Sequence, residues 1–145
     1  MTEDLVFTEP YIDHPNNHWT ECLTPQIKEI HGDDELRSEM MLLKEAFMTH
    51  AQALIHGDFH TGSIMVNEEE TRIIDPEFGF FGPMGFDIGA VLGNLVLSYG
   101  SQQYHAGDEK LRKAYRKWLL DTIAGVWHDF EKEFRDLWNS KVNDQ

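Results

Sequence analysis

Between Asp87 and Tyr99 almost every residue is apolar, nothing after Asp87 is charged, and the run stops at Gly100. Too long for one strand and too short for the ~20 residues of a membrane span, it reads as a buried helix. Gly89 and Gly93 in it suggest close approach of neighbouring backbone, and we expect it to be the central helix of a core. A helix that is apolar all round must be covered by other elements. The chain has the means: its 145 residues suit one domain, 41% of them are hydrophobic, and 9 Phe and 4 Trp supply bulk for burial.

The covering elements are read on either side. From Asp33 the pattern turns helical: Asp33 or Asp34 can cap, acids occupy the first turn, and Leu36, Met40, Leu43 and Phe47 recur at helical spacing, which predicts a helix over about 34–51. Asp108 to about Asn139 carries Leu111, Tyr115, Trp118, Leu119, Val126, Phe130, Phe134 and Leu137 on one stripe with charges opposite. That predicts one long helix, or two broken near Gly125, with its Trp and Phe residues in the core. Ile64-Met65-Val66 and Arg72-Ile73-Ile74-Asp75 flank the polar turn Asn67 to Thr71 and predict a small hairpin, with Glu68-Glu69-Glu70 solvated at its tip. Gly79, Gly82, Pro83 and Gly85 predict a tight turn; without a following Gly-Lys-Ser/Thr they make no Walker phosphate cradle. Residues 1–32, punctuated by Pro10, Pro15, Pro25 and Gly32, are expected to be irregular, with Leu5-Val6-Phe7 a short strand or the end of a linker.

Charge narrows the partners. Acids outnumber bases 26 to 12, a formal net charge of -14. Such a chain repels a phosphate backbone or an anionic lipid surface, so no nucleic acid and no membrane are expected, and an anionic ligand needs a metal to bridge it. A single cysteine, Cys22, forms no intramolecular disulfide, and the acidic start Met1-Thr2-Glu3-Asp4 is unlike a signal peptide. A cytoplasmic location is expected.

Chemistry-bearing residues gather between positions 56 and 87: His56, Asp58, His60, Ser63, Asp75, Glu77 and Asp87. A carboxylate held on a loop beside a strand accepts a proton from a hydroxyl, a role that suits Asp58. Asp75 and Glu77 offer hard oxygen ligands for a divalent cation. Because Pro76 favours extended backbone at the residue before it, the two carboxylates are expected to project to the same side.

These residues carry a resemblance. His56-Gly57-Asp58-Phe59-His60-Thr61-Gly62-Ser63-Ile64 resembles the catalytic loop of the aminoglycoside phosphotransferase and choline kinase superfamily, relatives of the protein kinases. Ile73-Ile74-Asp75-Pro76-Glu77 resembles its metal-binding strand end. With Gly82-Pro83-Met84-Gly85-Phe86-Asp87-Ile88-Gly89, the ordered motifs are similar to those of its thioribose kinase branch. The resemblance implies an α+β, mainly helical fold: the C-terminal lobe of a protein-kinase-like phosphotransferase with a small β-hairpin at the catalytic loop. It implies ATP-dependent phosphoryl transfer to the 1-hydroxyl of a thioribose of methionine salvage. Asp58 would address that hydroxyl, Asp75 and Glu77 would hold Mg²⁺ on the phosphates of ATP, and His56 would brace the loop. Asp87 would support the loop backbone, or serve only as a helix N-cap. The partners implied are a small sugar and ATP, with a homodimer of the full-length protein a further expectation.

Two departures qualify the pattern. Ser63 stands where most of the superfamily has a metal-binding Asn; we assign it to cofactor binding, with Glu77 supplying charge where protein kinases have glycine. The region before His56 holds only Lys28, Arg37 and Lys44, none after a glycine-rich hairpin, so the nucleotide lobe has no candidate. Residues 1–145 are therefore expected to be one partial domain, a fragment with residues 1–32 as an interlobe segment, inactive alone. Competing readings are another phosphotransferase of the superfamily, a non-catalytic lobe remnant, and a metallophosphoesterase in which His56 and His60 form a zinc pair at i, i+4 spacing.

Overall fold

The computed structural model describes residues 2–105 and 107–142. Its elements in chain order are α1 (Thr2–Phe7), α2 (Thr24–Gly32), α3 (Asp34–Thr49), β1 (Ala53–Ile55), β2 (Ile64–Val66), β3 (Thr71–Ile73), β4 (Phe80–Gly82), α4 (Phe86–Ser101) and α5 (Glu109–Val142), with short 3-10 turns between some of them. Helix dominates, as expected, and the strands form two antiparallel pairs, β1 with β4 and β2 with β3. The chain divides into two compact units, Met1–Gly57 with Pro76–Phe86, and Asp58–Asp75 with Asp87–Gln145.

In the first unit, Asp33 ends one helix and starts the next. Its backbone is extended (φ -87°, ψ 97°) and its side chain accepts from the Leu36 N–H at 2.8 Å, which caps α3 while Asp34 and Glu35 complement the helix dipole. The helix expected over about 34–51 is therefore observed. Phe47, only 5% exposed, is the centre of an aromatic cluster, with ring centroids 5.3 Å from Phe7, 5.0 Å from Phe80 and 4.7 Å from Phe86. Burying one such ring is worth about 1.5–3 kcal/mol, and each aromatic pair adds about 0.5–1.5.

Two expectations for this unit need correction. Residues 1–32 are irregular only in part: α1 and α2 stand at either end and residues 12–20 between them have no regular structure, while Leu5-Val6-Phe7 belongs to α1 and is not a strand. A helix this short does not hold by propensity. It is held by Phe7 on Phe47 and by Lys44, whose Nζ donates to Asp4 Oδ1 at 2.7 Å and Thr8 Oγ1 at 2.8 Å. The glycine-rich segment, expected to be only a tight turn, contains β4, which pairs Ala53↔Gly82 and Ile55↔Phe80. Gly82 is a packing glycine: a Cβ there would lie 2.7 Å from Ile55 Cδ1 and 2.9 Å from the Phe80 ring. The turn itself follows, closed by the Phe86 N–H donating to the Pro83 carbonyl at 3.0 Å.

In the second unit the predicted hairpin is present, in register Ile64↔Ile73, Met65↔Arg72 and Val66↔Thr71. Asn67 forms its turn by accepting from the Glu69 and Glu70 N–H groups, both at 2.8 Å, and the three glutamates are exposed as expected. Val91, Leu95 and Leu119 form the buried cluster, with Phe59, Ile64, Tyr99 and Ile123 packed on it. The apolar run is indeed a helix, yet its burial is one-sided: Val96 and Leu97 are 54% and 73% exposed, and a Cβ at Gly89 or Gly93 would meet nothing within 4 Å. These glycines mediate no close packing among the described residues.

α5 is one continuous helix through Gly125, started by Asp108, which accepts from the Leu111 N–H at 3.0 Å. Exposed i, i+4 ion pairs such as Lys113–Glu109 (2.6 Å) and Arg135–Glu131 (2.7 Å) line it. Its stripe was expected in the core, but Leu119 is the only described α5 residue that is fully buried, while Trp118, Trp127 and Trp138 are about half exposed. No helix of the described residues is long and apolar enough to cross a membrane.

Candidate active site

The polar residues singled out above fall on both units. His56 and Glu77 belong to the first; Asp58, His60, Ser63, Asp75 and Asp87 belong to the second. In the first unit, β1 runs into His56 and then Gly57, whose φ of 81° is the left-handed region that favours glycine. A Cβ at Gly57 would lie 2.3 Å from the Phe78 carbonyl oxygen, so only glycine fits. The backbone after His56 therefore abuts the backbone after Glu77. His56 is half-buried, and Glu77 is exposed in a turn that the Gly79 N–H closes on the Pro76 carbonyl at 3.0 Å.

In the second unit the segment 58–63 is knotted by local hydrogen bonds. The Ser63 N–H donates to the His60 carbonyl at 2.9 Å, forming a 3-10 turn over Thr61–Ser63. His60 caps that turn, its Nδ1 accepting from the Gly62 N–H at 3.0 Å. Ser63 is 4% exposed and its hydroxyl donates to the Asp58 carbonyl at 3.3 Å, bracing the loop on which Asp58 stands. The Thr61 hydroxyl donates to Asn94 Oδ1 at 3.3 Å, which ties the loop to α4. Asn94 was missed in the sequence; the signal for it is a lone amide within an apolar run. The Asp58 carboxylate is exposed, with Oδ2 3.7 Å from His60 Nε2.

The Ile74 N–H donates to the Ser63 carbonyl at 3.0 Å, so the backbone brings Asp58, Ser63 and Asp75 to one end of the hairpin. Asp75 is the only non-glycine residue at positive φ (66°) among the described residues. This corrects the expected extended backbone before Pro76: aspartate tolerates the left-handed region because its short side chain bonds locally, and the chain uses it to turn from β3 toward β4. An aspartate held in a sparsely populated conformation at the position proposed to meet a metal is the kind of strain that functional sites carry. Asp87 is half-buried in the first turn of α4, where it complements the helix dipole.

Among the described residues no group of three or more His, Cys, Asp or Glu side chains is arranged to hold a metal. Magnesium asks for less, one or two carboxylates together with substrate phosphates, and a hard carboxylate oxygen such as that of Asp75 or of Glu77 is of the type it takes. His56 and His60, four positions apart, lie on a loop, so their spacing does not place them on one face of a helix as a helical zinc pair would be. Beside the hairpin, Met65, Val66, Asn67, Glu70, Arg72 and Ile74 line an open hollow of about 450 Å³.

The loop with Gly57 and Gly62, the hairpin followed by Asp75, and the apolar helix all lie within residues 4–130, the span matched by the model of the phosphotransferase enzyme family, to which this chain belongs. Similar proteins within it are narrower in kind. Methylthioribose kinase 1 of Oryza sativa subsp. japonica is 51% identical over 140 residues, covering 96% of this chain and 33% of the rice protein. The methylthioribose kinase of Escherichia coli O45:K1 is 49% identical over 143 residues, 98% of this chain and 34% of its own length. That of Geobacillus kaustophilus is 42% identical over 141 residues, 97% and 33% respectively. The chain thus spans about a third of the length of the curated relatives it matches.

Proposed function

We propose that this chain is part of the C-terminal, acceptor-side lobe of an ATP-dependent small-molecule kinase that phosphorylates the 1-hydroxyl of S-methyl-5-thioribose in methionine salvage. The observation that carries the reading is the similarity to methylthioribose kinases along nearly the whole chain, 51% over 140 residues with the rice protein. The loop geometry supports it, since a carboxylate on a braced, exposed loop suits proton acceptance.

In this mechanism the sugar hydroxyl oxygen bonds to the γ-phosphorus of ATP, the bond from that phosphorus to the ADP oxygen breaks, and the hydroxyl proton passes to a carboxylate oxygen of Asp58. Asp75 and Glu77 would hold Mg²⁺, which when bound offsets the charge of the phosphates. That neutralisation matters in a chain of net charge -14, which by itself repels ATP. Ser63, expected on the nucleotide side, is buried with its hydroxyl on the Asp58 carbonyl and would act by bracing the loop, which His56 and Asp87 would also support. The single cysteine fits a reducing cytoplasm.

The test is ATP-dependent phosphorylation of a panel of pentoses, methylthioribose, choline and aminoglycosides by a full-length protein containing this chain. Methylthioribose should be the preferred acceptor. Preference for choline or an aminoglycoside would move the substrate elsewhere in the family, and no transfer to any acceptor would overturn the reading.

A further inference from the structure

We infer that His60 is a positioning residue for Asp58: its imidazole Nε2 stands 3.7 Å from one oxygen of the Asp58 carboxylate and orients that group for proton acceptance. The inference rests on the kinase reading above, in which Asp58 is the proton acceptor, and deepens it by naming what orients that group.

The tautomer follows from the backbone. Nδ1 of His60 accepts from the Gly62 N–H at 3.0 Å, so that nitrogen carries no proton, and the proton of the neutral ring must sit on Nε2. Nε2 is the atom that lies 3.7 Å from Asp58 Oδ2. This distance is longer than a direct hydrogen bond; catalytic contacts commonly tighten only when substrate is bound. A second device keeps the ring in place. A Cβ on Gly62 would meet His60 Cε1 at 2.7 Å and Nδ1 at 2.8 Å, so the imidazole lies against backbone that only glycine leaves open. The loop beneath is fixed in turn by the Ser63 N–H on the His60 carbonyl at 2.9 Å and by Thr61 on Asn94 at 3.3 Å.

A role limited to capping the 3-10 turn is the competing explanation, and two substitutions separate them. In His60→Asn the amide oxygen can replace Nδ1 as acceptor for Gly62 but the side chain ends short of Asp58. In His60→Gln the longer side chain can carry an N–H to about where Nε2 stood. In a full-length protein containing this chain, His60→Asn should lower kcat roughly 10-fold with KM for sugar and ATP unchanged, and His60→Gln should recover most of that loss. Gly62→Ala, which pushes the ring aside without changing His60, should resemble His60→Asn. An active wild type in which the Gln variant is as slow as the Asn variant, or in which KM rises and kcat does not fall, overturns the role of His60 alone. A wild type inactive on every acceptor overturns the kinase reading and this role with it. In the full-length protein, imidazole ¹⁵N NMR should find His60 as the Nε2–H tautomer, with an Nε2–H resonance that shifts in Asp58→Asn. An Nδ1–H tautomer would contradict the geometry directly.

Discussion

Residues 58–63 hold their shape with little burial, whereas the second half of α5 carries much apolar surface and buries little of it. In the loop the Gly62 N–H, the Ser63 N–H and the Ser63 and Thr61 hydroxyls each have an acceptor within 3.5 Å. Along α5, Trp127, Leu137 and Trp138 are 49%, 62% and 54% exposed, and the rings lean on one another, Phe130 tilted on Phe134 at 5.7 Å and Phe134 stacked on Trp138 at 5.8 Å. A loop of this kind is specified by residues a few positions apart, through donors, acceptors and glycines. The burial of a helix face is specified by its neighbour, so the same apolar residues that shape a helix do not say how deep it lies.

The sharpest way to break the comparison is Gly57→Ala at the entrance to the loop. Positive φ and the approach to Phe78 act together there, and the 145-residue chain should lose on the order of 4 kcal/mol by denaturant unfolding. A loss below about 1 kcal/mol would mean that the loop is not built on that glycine. Next come two leucines on one helix. Leu119→Ala, at 1% exposure, should cost about 2–5 kcal/mol, and Leu137→Ala, at 62%, less than about 0.5. Equal losses in urea unfolding would show that the far half of α5 is buried after all.

The smallest effect is in acid. The Lys44 hydrogen bond holds the Asp4 carboxyl below its ordinary range. Because the folded value lies below the unfolded one, the contribution is present above the ordinary aspartate range and is lost as pH falls through the folded value. Asp4→Asn should therefore lower the unfolding midpoint slightly at neutral pH, and the gap to wild type should close as the solution is acidified below that range. A gap independent of pH would remove the ion pair from the account of α1.

The same contrast explains what could be read from the sequence. Asp33 as a cap, Ile64-Met65-Val66 as a strand and Asn67 as a turn former are local statements, and the structure bears them out. α1 escaped because its helix depends on Phe47 and Lys44, some 40 positions away. β4 escaped because three residues ending in glycine make a strand only once β1 is beside them. The left-handed backbone of Asp75 ran against the preference imposed by Pro76, and a local rule lost to the path of the chain. At the candidate site, the motif located Asp58, Ser63 and Asp75, but the hold of His60 on its own loop and the tie through Asn94 needed atomic positions.

Everything proposed for the site turns on Asp58, and one substitution addresses it. Asp58→Asn in a full-length protein containing this chain preserves the size of the side chain and removes the proton acceptor. Methylthioribose and Mg-ATP should bind with unchanged affinity while kcat falls on the order of 10² or more. Loss of ATP affinity with kcat retained at saturation would contradict the account, because Asp58 would then be a binding residue and the loop that carries it would not be the place where the proton goes.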